Sequence, residues 1–303
     1  MVCYVRKSNS LDTTNEKGSL MIKVINEKQE TEVADYVWNV YQDAAKRTTP
    51  PYKSHAEVLS QLQKQISSKH GRILGYYKNE QLFGVLYLDI IDKDSYVGTA
   101  GPYIHCSEHY HQVALSFLDY LDNYFIGYSC YFGTTKPNLS SQKFLDDQGF
   151  KCIDDTIQTK INPTTLNSII SPYKVKVLSE DYYELYRRFH QEHFSDYFFT
   201  ADKIYDSIHR WKIHIVIIEG VICGCVFSQK QTESTGEVYG SIVLAEYQDT
   251  DMLSQLYFEN ISAWFSEGLV EIFNFVPEGV QLEASKRVGF TEYDTYMGYH
   301  KTL

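Results

Sequence analysis

Basic residues are scarce in this sequence. Its 28 lysines and arginines are outnumbered by 39 aspartates and glutamates, for a formal net charge of −11. No Lys/Arg block interrupts that balance. Phosphate backbones are bound through clustered positive charge, so nucleic acid is not an expected partner. An acidic surface keeps a chain soluble and weakly favours cationic small molecules or basic peptide tails. Paired cysteines are missing too. The six cysteines stand at 3, 106, 130, 152, 223 and 225, with no CxxC among them. Such scatter reads as a reduced, cytoplasmic chain. No apolar run approaches the ~20 residues that span a bilayer, so no membrane association is expected. The first twenty residues, MVCYVRKSNSLDTTNEKGSL, lack the apolar stretch of a secretory signal and read as a disordered segment. Met21, opening the strand-like MIKVI, would serve equally as a start.

What is present is a repeat. With 303 residues, 43% of them hydrophobic, the chain is long enough for two domains. EQLFGVLYLD (80–89) and EGVICGCVFSQ (219–229) each place a short turn before an apolar strand with a glycine inside, Gly84 and Gly224. SSQKFLDDQGFKCIDD and LEASKRVGFTEYDT each close a short helix on Gly-Phe, at Gly149 and Gly289, and continue as a strand. Both glycine pairs lie 140 positions apart. Long amphipathic helices are expected between the landmarks, over about 110–126 and 251–267. A constant offset between matching landmarks is the mark of duplication. Each half reads β-α-α-β-β-β-α-β-α-β. A helix is expected over 31–47, a second one capped by Ser54, and a hairpin turning at KNEQ. NPTTLNSIISPYK (162–174), with turn residues at both ends, joins the halves. The expected division is a segment 1–20, a domain 21–161, a linker 162–173 and a domain 174–303.

This element order, with its Gly-Phe helix end, resembles the GNAT superfamily of acyl-CoA-dependent N-acyltransferases over nearly the whole chain beyond residue 20. The resemblance implies an α/β fold of two tandem GNAT-like domains, each a mixed twisted sheet flanked by helices. In each sheet the fourth and fifth strands should splay apart, near 96–104 with 128–134 and near 236–245 with 270–276. The family's signature, Gln/Arg-x-x-Gly-x-Gly/Ala, lets successive backbone N–H groups approach a pyrophosphate at a helix start. In the first half its place is held by HYHQVA, running His109, Tyr110, His111, Gln112, Val113 and Ala114, and only Ala114 matches. In the second half it is held by QDTDML. Gln248 matches, but Asp251 and Leu253 replace the small residues, and Asp251 would cap its own helix. The first half is thus the expected acetyl-CoA binder, through Ile104, residues 109–114 and Asn138. Asn138 matches the asparagine of the family's last helix motif and also reads as an ordinary cap; Glu278 stands at its counterpart.

The implied reaction moves an acyl group, most simply acetyl, from acetyl-CoA as co-substrate to an amine of a small molecule or peptide. The family's strand-four glutamate, a base for the ammonium proton, falls on Glu237 in the second half and on Gly98 in the first. Its thiolate-protonating tyrosine falls on Leu145 and Ser285, so neither half carries it. Tyr96 and Tyr103, on the first half's fourth strand, are the expected lining of an acceptor pocket. The second half would shape the acceptor site or form a homodimer. A protein that kept the fold and lost the chemistry, acting as a ligand-binding or assembly module, is the alternative. Aminoacyl transfer from tRNA is disfavoured by the charge. His105, Cys106, His109 and His111 fit no metal framework, because no distant Cys/His pair completes them and residues two apart on a helix do not share a face; no metal is expected.

Overall fold

The computed structural model describes residues 20–48, 52–195, 197–247 and 250–303. The segment 1–19, expected to be disordered, lies outside them, as does Gln248. The chain forms two compact units, one of residues up to 155 plus 296–303, the other of residues 156–295. In chain order the elements are β1 (Leu20–Val24), α1 (Glu30–Tyr41), α2 (His55–Ser67), β2 (Gly71–Lys78), β3 (Gln81–Ile91), β4 (Tyr96–Ile104), α3 (Tyr110–Tyr124), β5 (Ser129–Thr134), α4 (Leu139–Asp147) and β6 (Lys151–Ile161). There follow β7 (Val175–Val177), α5 (Glu180–His193), α6 (Ala201–Tyr205), β8 (Trp211–Ile218), β9 (Val221–Lys230), β10 (Thr235–Val243), α7 (Thr250–Ser266), β11 (Glu271–Val276), α8 (Val280–Val288) and β12 (Thr291–Thr302). No helix among the described residues is long and apolar enough to cross a membrane.

In the first unit β1 to β4 form an antiparallel meander and β5 lies parallel to β4. Residues 297–302 of β12 close the sheet against β5. Helices α1 and α2 cover one face, burying Val33, Val37, Val58 and Leu62 against Ile73, Tyr87 and Tyr103. Helices α3 and α4 cover the other, with Val113, Phe117 and Leu121 against Leu74, Leu86 and Phe132. Those three α3 side chains recur every four residues and so form one apolar stripe. Burying each contributes roughly 1.5–3 kcal/mol. The second unit repeats the plan. β7 to β10 form the meander, β11 is parallel to β10, and residues 157–161 of β6 pair with β11. Helices α5 and α6 lie on one face, α7 and α8 on the other.

The units differ in one respect from the expected boundaries 21–161 and 174–303. The sixth strand of each sheet comes from the other repeat: β12 completes the first unit and β6 the second. Both strands are alternating and apolar enough to close either sheet, which is why the repeat pattern does not reveal the exchange.

The landmark glycines serve matching purposes. A Cβ on Gly84 would stand 2.5 Å from Val113 Cγ1, and one on Gly224 would stand 2.9 Å from Leu256 Cδ1, so each lets the long helix press onto the sheet. Gly149 (φ +76°) and Gly289 (φ +112°) turn the chain through left-handed backbone at the ends of α4 and α8. Ser54 Oγ accepts from Glu57 N–H, as expected of the α2 cap, and the first hairpin turns at Asn79 and Glu80. The helix expected over 31–47 stops at Tyr41 instead. Asp43 accepts from Ala45 N–H (3.0 Å) and starts a separate short turn, a local bond that competes with helix continuation.

Candidate active site

In both units the two parallel strands pair for four residues and then part. β4 and β5 pair from Tyr96↔Ser129 to Thr99↔Phe132, β10 and β11 from Thr235↔Glu271 to Val238↔Asn274. Beside each parting the fourth strand slips register against the third, between Val85 and Tyr87 and between Val238 and Gly240. Such bulges re-aim side chains and end pairing.

A cavity of about 350 Å³ opens at the parting of the first unit. Gly98, Ala100 and Gly133 make a floor of small residues, Gln61 and Gln65 reach in from α2, and Tyr87, Asp89, Tyr96, Thr99, Tyr131, Phe132 and Tyr296 complete the lining. The Tyr87 hydroxyl and Thr99 Oγ1 are buried without a hydrogen-bond partner among the described residues. Buried polar atoms left unpaired are costly; in register the Tyr87 side chain lies on the α1–α2 face and that of Thr99, opposite Leu88 and Phe132, on the α3–α4 face. Asp89 is the one acidic side chain in the lining and forms no ion pair among the described residues; it is exposed to solvent, and partial desolvation lifts its carboxyl above the usual value, partly countered by His70.

Tyr96 is part of this lining. Its ring stacks on Tyr131 at 5.2 Å between centroids, and Tyr131 continues onto His300 at 4.7 Å. Burial, then the nearby Asp89 charge, push the Tyr96 hydroxyl up to about 12, so it stays protonated as a donor. Tyr103 does not line the cavity. It is wholly buried among Tyr52, Tyr87 and the α1 and α2 side chains, because the bulge turns it into that core.

The residues assigned to a cofactor fall into two groups. Ile104, Tyr110, Val113 and Ala114 are buried in the core beneath α3, so what they can offer a ligand is backbone. His109 packs on Phe83, whereas His111, exposed like Gln112, packs on Phe144; the two histidines diverge. Helix α3 is entered through a short turn over Ser107–His109. Neither Cys106 nor His109 supplies a side-chain cap; the entering turn carries Glu108, and the first turn of α3 itself carries no acidic residue. Uncapped N–H groups at a helix start favour an anion. Asn138 is buried; its Oδ1 caps Ser141 N–H (3.1 Å) and its Nδ2 donates to Arg47 O (3.0 Å), fastening α4 to the segment after α1.

The second unit is built differently at the same places. Asp251 lies within the first turn of α7 and pairs with Arg287 at 2.6 Å, putting a carboxylate where an anion would approach. Leu253 is buried. Beyond the parting, Gln281 Nε2 donates to Ser241 O (2.9 Å), so a side chain of α8 holds the backbone of β10. Glu237 sits at the second-to-last paired position before this parting, opposite Gln229 and Phe273. Burial raises its carboxyl to about 7. It belongs to the second unit, Tyr96 and α3 to the first.

Solved structures share this architecture. A GCN5-related N-acetyltransferase from Sphaerobacter thermophilus is 11% identical with a TM-score of 0.68, over 95% of this chain and 96% of its own. A tandem GNAT protein from the clavulanic acid biosynthesis pathway is 10% identical with a TM-score of 0.54, over 93% and 98%. The fold is that of the GCN5-related N-acetyltransferases, in tandem. A glucosamine N-acetyltransferase region of a fungal multi-domain GH3 β-N-acetylglucosaminidase is likewise similar, 10% identical with a TM-score of 0.64 over 96% of this chain and 39% of that one. No protein-family model matches the sequence, and no curated protein sequence is similar to it.

On this GNAT fold, Leu145 and Ser285 are buried in their units' cores, so no tyrosine stands at the end of the last helix. Over Gly98, where the first half lacks the glutamate, lies the Tyr96 hydroxyl. Sequence reading missed Asp89, Tyr87, Thr99, Tyr131 and Tyr296. Asp89 had a signal, a carboxylate inside the apolar strand FGVLYLDII. Tyr296 had none, because it reaches the first unit only through the strand exchange.

Proposed function

We propose that the first unit is an N-acyltransferase, moving acetyl from acetyl-CoA to the amine of a small molecule or peptide. The observation that carries this reading is the cavity at the parting of β4 and β5, with the buried Tyr87 hydroxyl unpaired at its edge. Support comes also from the start of α3, which has no side-chain cap and whose first backbone N–H groups, within the stretch 110–114, would hold a pyrophosphate. Acetyl-CoA supplies an activated thioester. The chain's own groups do the rest. The Tyr87 hydroxyl orients the incoming nitrogen, whose proton passes through water to solvent. Tyr96, held protonated, donates to the departing thiolate, the task that no tyrosine of the last helix performs here. The second unit, with Asp251 and Gln281 in the corresponding places, has a structural part in this reading and binds no CoA.

The test is calorimetry with acetyl-CoA followed by an amine panel assayed for acylation, with Tyr96→Phe as the variant. One bound equivalent, turnover of some amine, and a loss of roughly tenfold or more in kcat for Tyr96→Phe are expected. Binding without acylation of any amine would replace this reading with a non-catalytic ligand-binding module.

A further inference from the structure

The cavity lining also says which amine fits, a deduction that rests on the acceptor-site reading above. Lysine and arginine are missing from the lining, and its one acidic side chain is Asp89. An acceptor with a carboxylate or phosphate beside its amine would meet an uncompensated negative charge here. A cationic acceptor meets a carboxylate without an ion-pair partner among the described residues, and the ring of Tyr96, whose hydroxyl feels that carboxylate. Ammonium groups are attracted to tyrosine faces as well as to carboxylates.

The register fixes a length. Ala100, the first residue of β4 beyond the parallel pairing, stands opposite Tyr87 on β3, and Gly98 stands opposite Asp89. Tyr87 and Asp89 are two residues apart on the same face of one strand, which separates their positions by about 7 Å. Tyr87 is 3% exposed and its hydroxyl is unpaired, which marks the end of the cavity where a reacting nitrogen would be held. Asp89 marks the other end.

We propose that the acceptor is an aliphatic diamine, or an amine with a second cationic nitrogen at a like distance. One nitrogen is acylated near Tyr87, and the other stays charged against Asp89. Four or five methylenes span about the required distance. Gln61 and Gln65 lie over the middle, where a flexible chain asks for nothing more specific.

The experiment is calorimetry on the full chain saturated with acetyl-CoA or its unreactive free-thiol product. Ligands are 1,4-diaminobutane, 1,5-diaminopentane, 1,3-diaminopropane and n-butylamine. A four- or five-carbon diamine should bind about tenfold or more tightly than butylamine, and the margin should shrink with added salt. Asp89→Asn should weaken the diamine more than butylamine and bring the two within about twofold of each other. Asp89→Glu lengthens the side chain by one methylene and should move the preference toward a shorter diamine. Equal binding of diamine and monoamine by the unaltered protein overturns the proposal, as does a diamine preference that survives in Asp89→Asn. Discrimination without acylation of any amine would retain this inference and remove the enzymatic reading. Acylation of amines without discrimination would do the reverse.

Discussion

Tyr96 folds its ring back over Gly98, so that a Cβ added at Gly98 would stand 2.6 Å from the Tyr96 hydroxyl. Tyr296 does the same over Gly298, where an added Cβ would stand 3.1 Å from its ring. Both tyrosines line the cavity, and both depend on the residue two places on being too small to lift them. Gly98→Ala should therefore displace Tyr96 from its stack on Tyr131. Overpacking of this kind costs about 1–3 kcal/mol. The expected result is a fall of roughly tenfold in kcat/KM with a modest drop in Tm. Tyr96→Phe, which keeps the ring in place, should lower kcat with little change in Tm.

Ala114 was the one signature residue retained in the first half, and its burial changes how the phosphate site must be probed. A carboxylate at position 114 would enter the core and unfold the unit, whatever happens to CoA. Gln112 is exposed in the same first turn of α3. Gln112→Glu should weaken acetyl-CoA binding several-fold at low ionic strength, with less effect in high salt, and leave Tm nearly unchanged. Unchanged affinity at low salt would move the pyrophosphate away from α3.

One equivalent of acetyl-CoA per chain is expected by calorimetry. In the second unit the Asp251 carboxylate and the Gln281–Ser241 bond act separately, one against charge and one against access. Gln281→Ala alone should leave the stoichiometry at one. A second equivalent should require Asp251→Ser as well, and its appearance in either single variant would show that one obstacle suffices.

Glu237 gives the second unit a pH dependence of definite sign. Its carboxyl is raised from 4.5 to about 7 by burial, so the folded state binds a proton more tightly than the unfolded one. Its stabilising effect is complete below the unfolded value and is lost as pH climbs toward 7. His190 and His214, lowered to about 4 by burial, act oppositely, adding stability as pH rises from about 4 to the usual histidine range. The wild-type profile sums the three. The difference between Glu237→Gln and wild type isolates the first, with the variant gaining up to about 3 kcal/mol relative to wild type between pH 4.5 and 7. Parallel urea midpoints across that range would contradict the buried carboxylate.

The fold was legible because it is written twice. Gly84 and Gly224 have to be small so that a helix can touch the sheet, and Gly149 and Gly289 have to adopt left-handed backbone; such steric demands survive when most other residues change. The partings fell on the expected strands for the same reason. The site was less legible. Tyr96 lies at the cavity, whereas Tyr103, an odd seven residues on, is returned by the bulge at Val85/Tyr87 to the same α1–α2 face and is buried there among Tyr52 and Tyr87, away from the cavity. Alternation read along a sequence cannot locate such a slip. Asp89 and Tyr87 became a site only when β3 was set against β4 in register, and Tyr296 only when the end of the chain was seen to pair with β5.

The exchange of closing strands also sets an order on synthesis. Five of the first unit's six strands, β1 to β5, have left the ribosome long before the sixth, residues 297–302 of β12, is made. Until then β5 presents an open edge of the sort that recruits other chains. A fragment cut at the linker, residues 21–161, would keep that edge permanently and would lack Tyr296 from its cavity wall. Removal of residues 296–303 should have the same effect, so the first repeat matures only after the second has been translated.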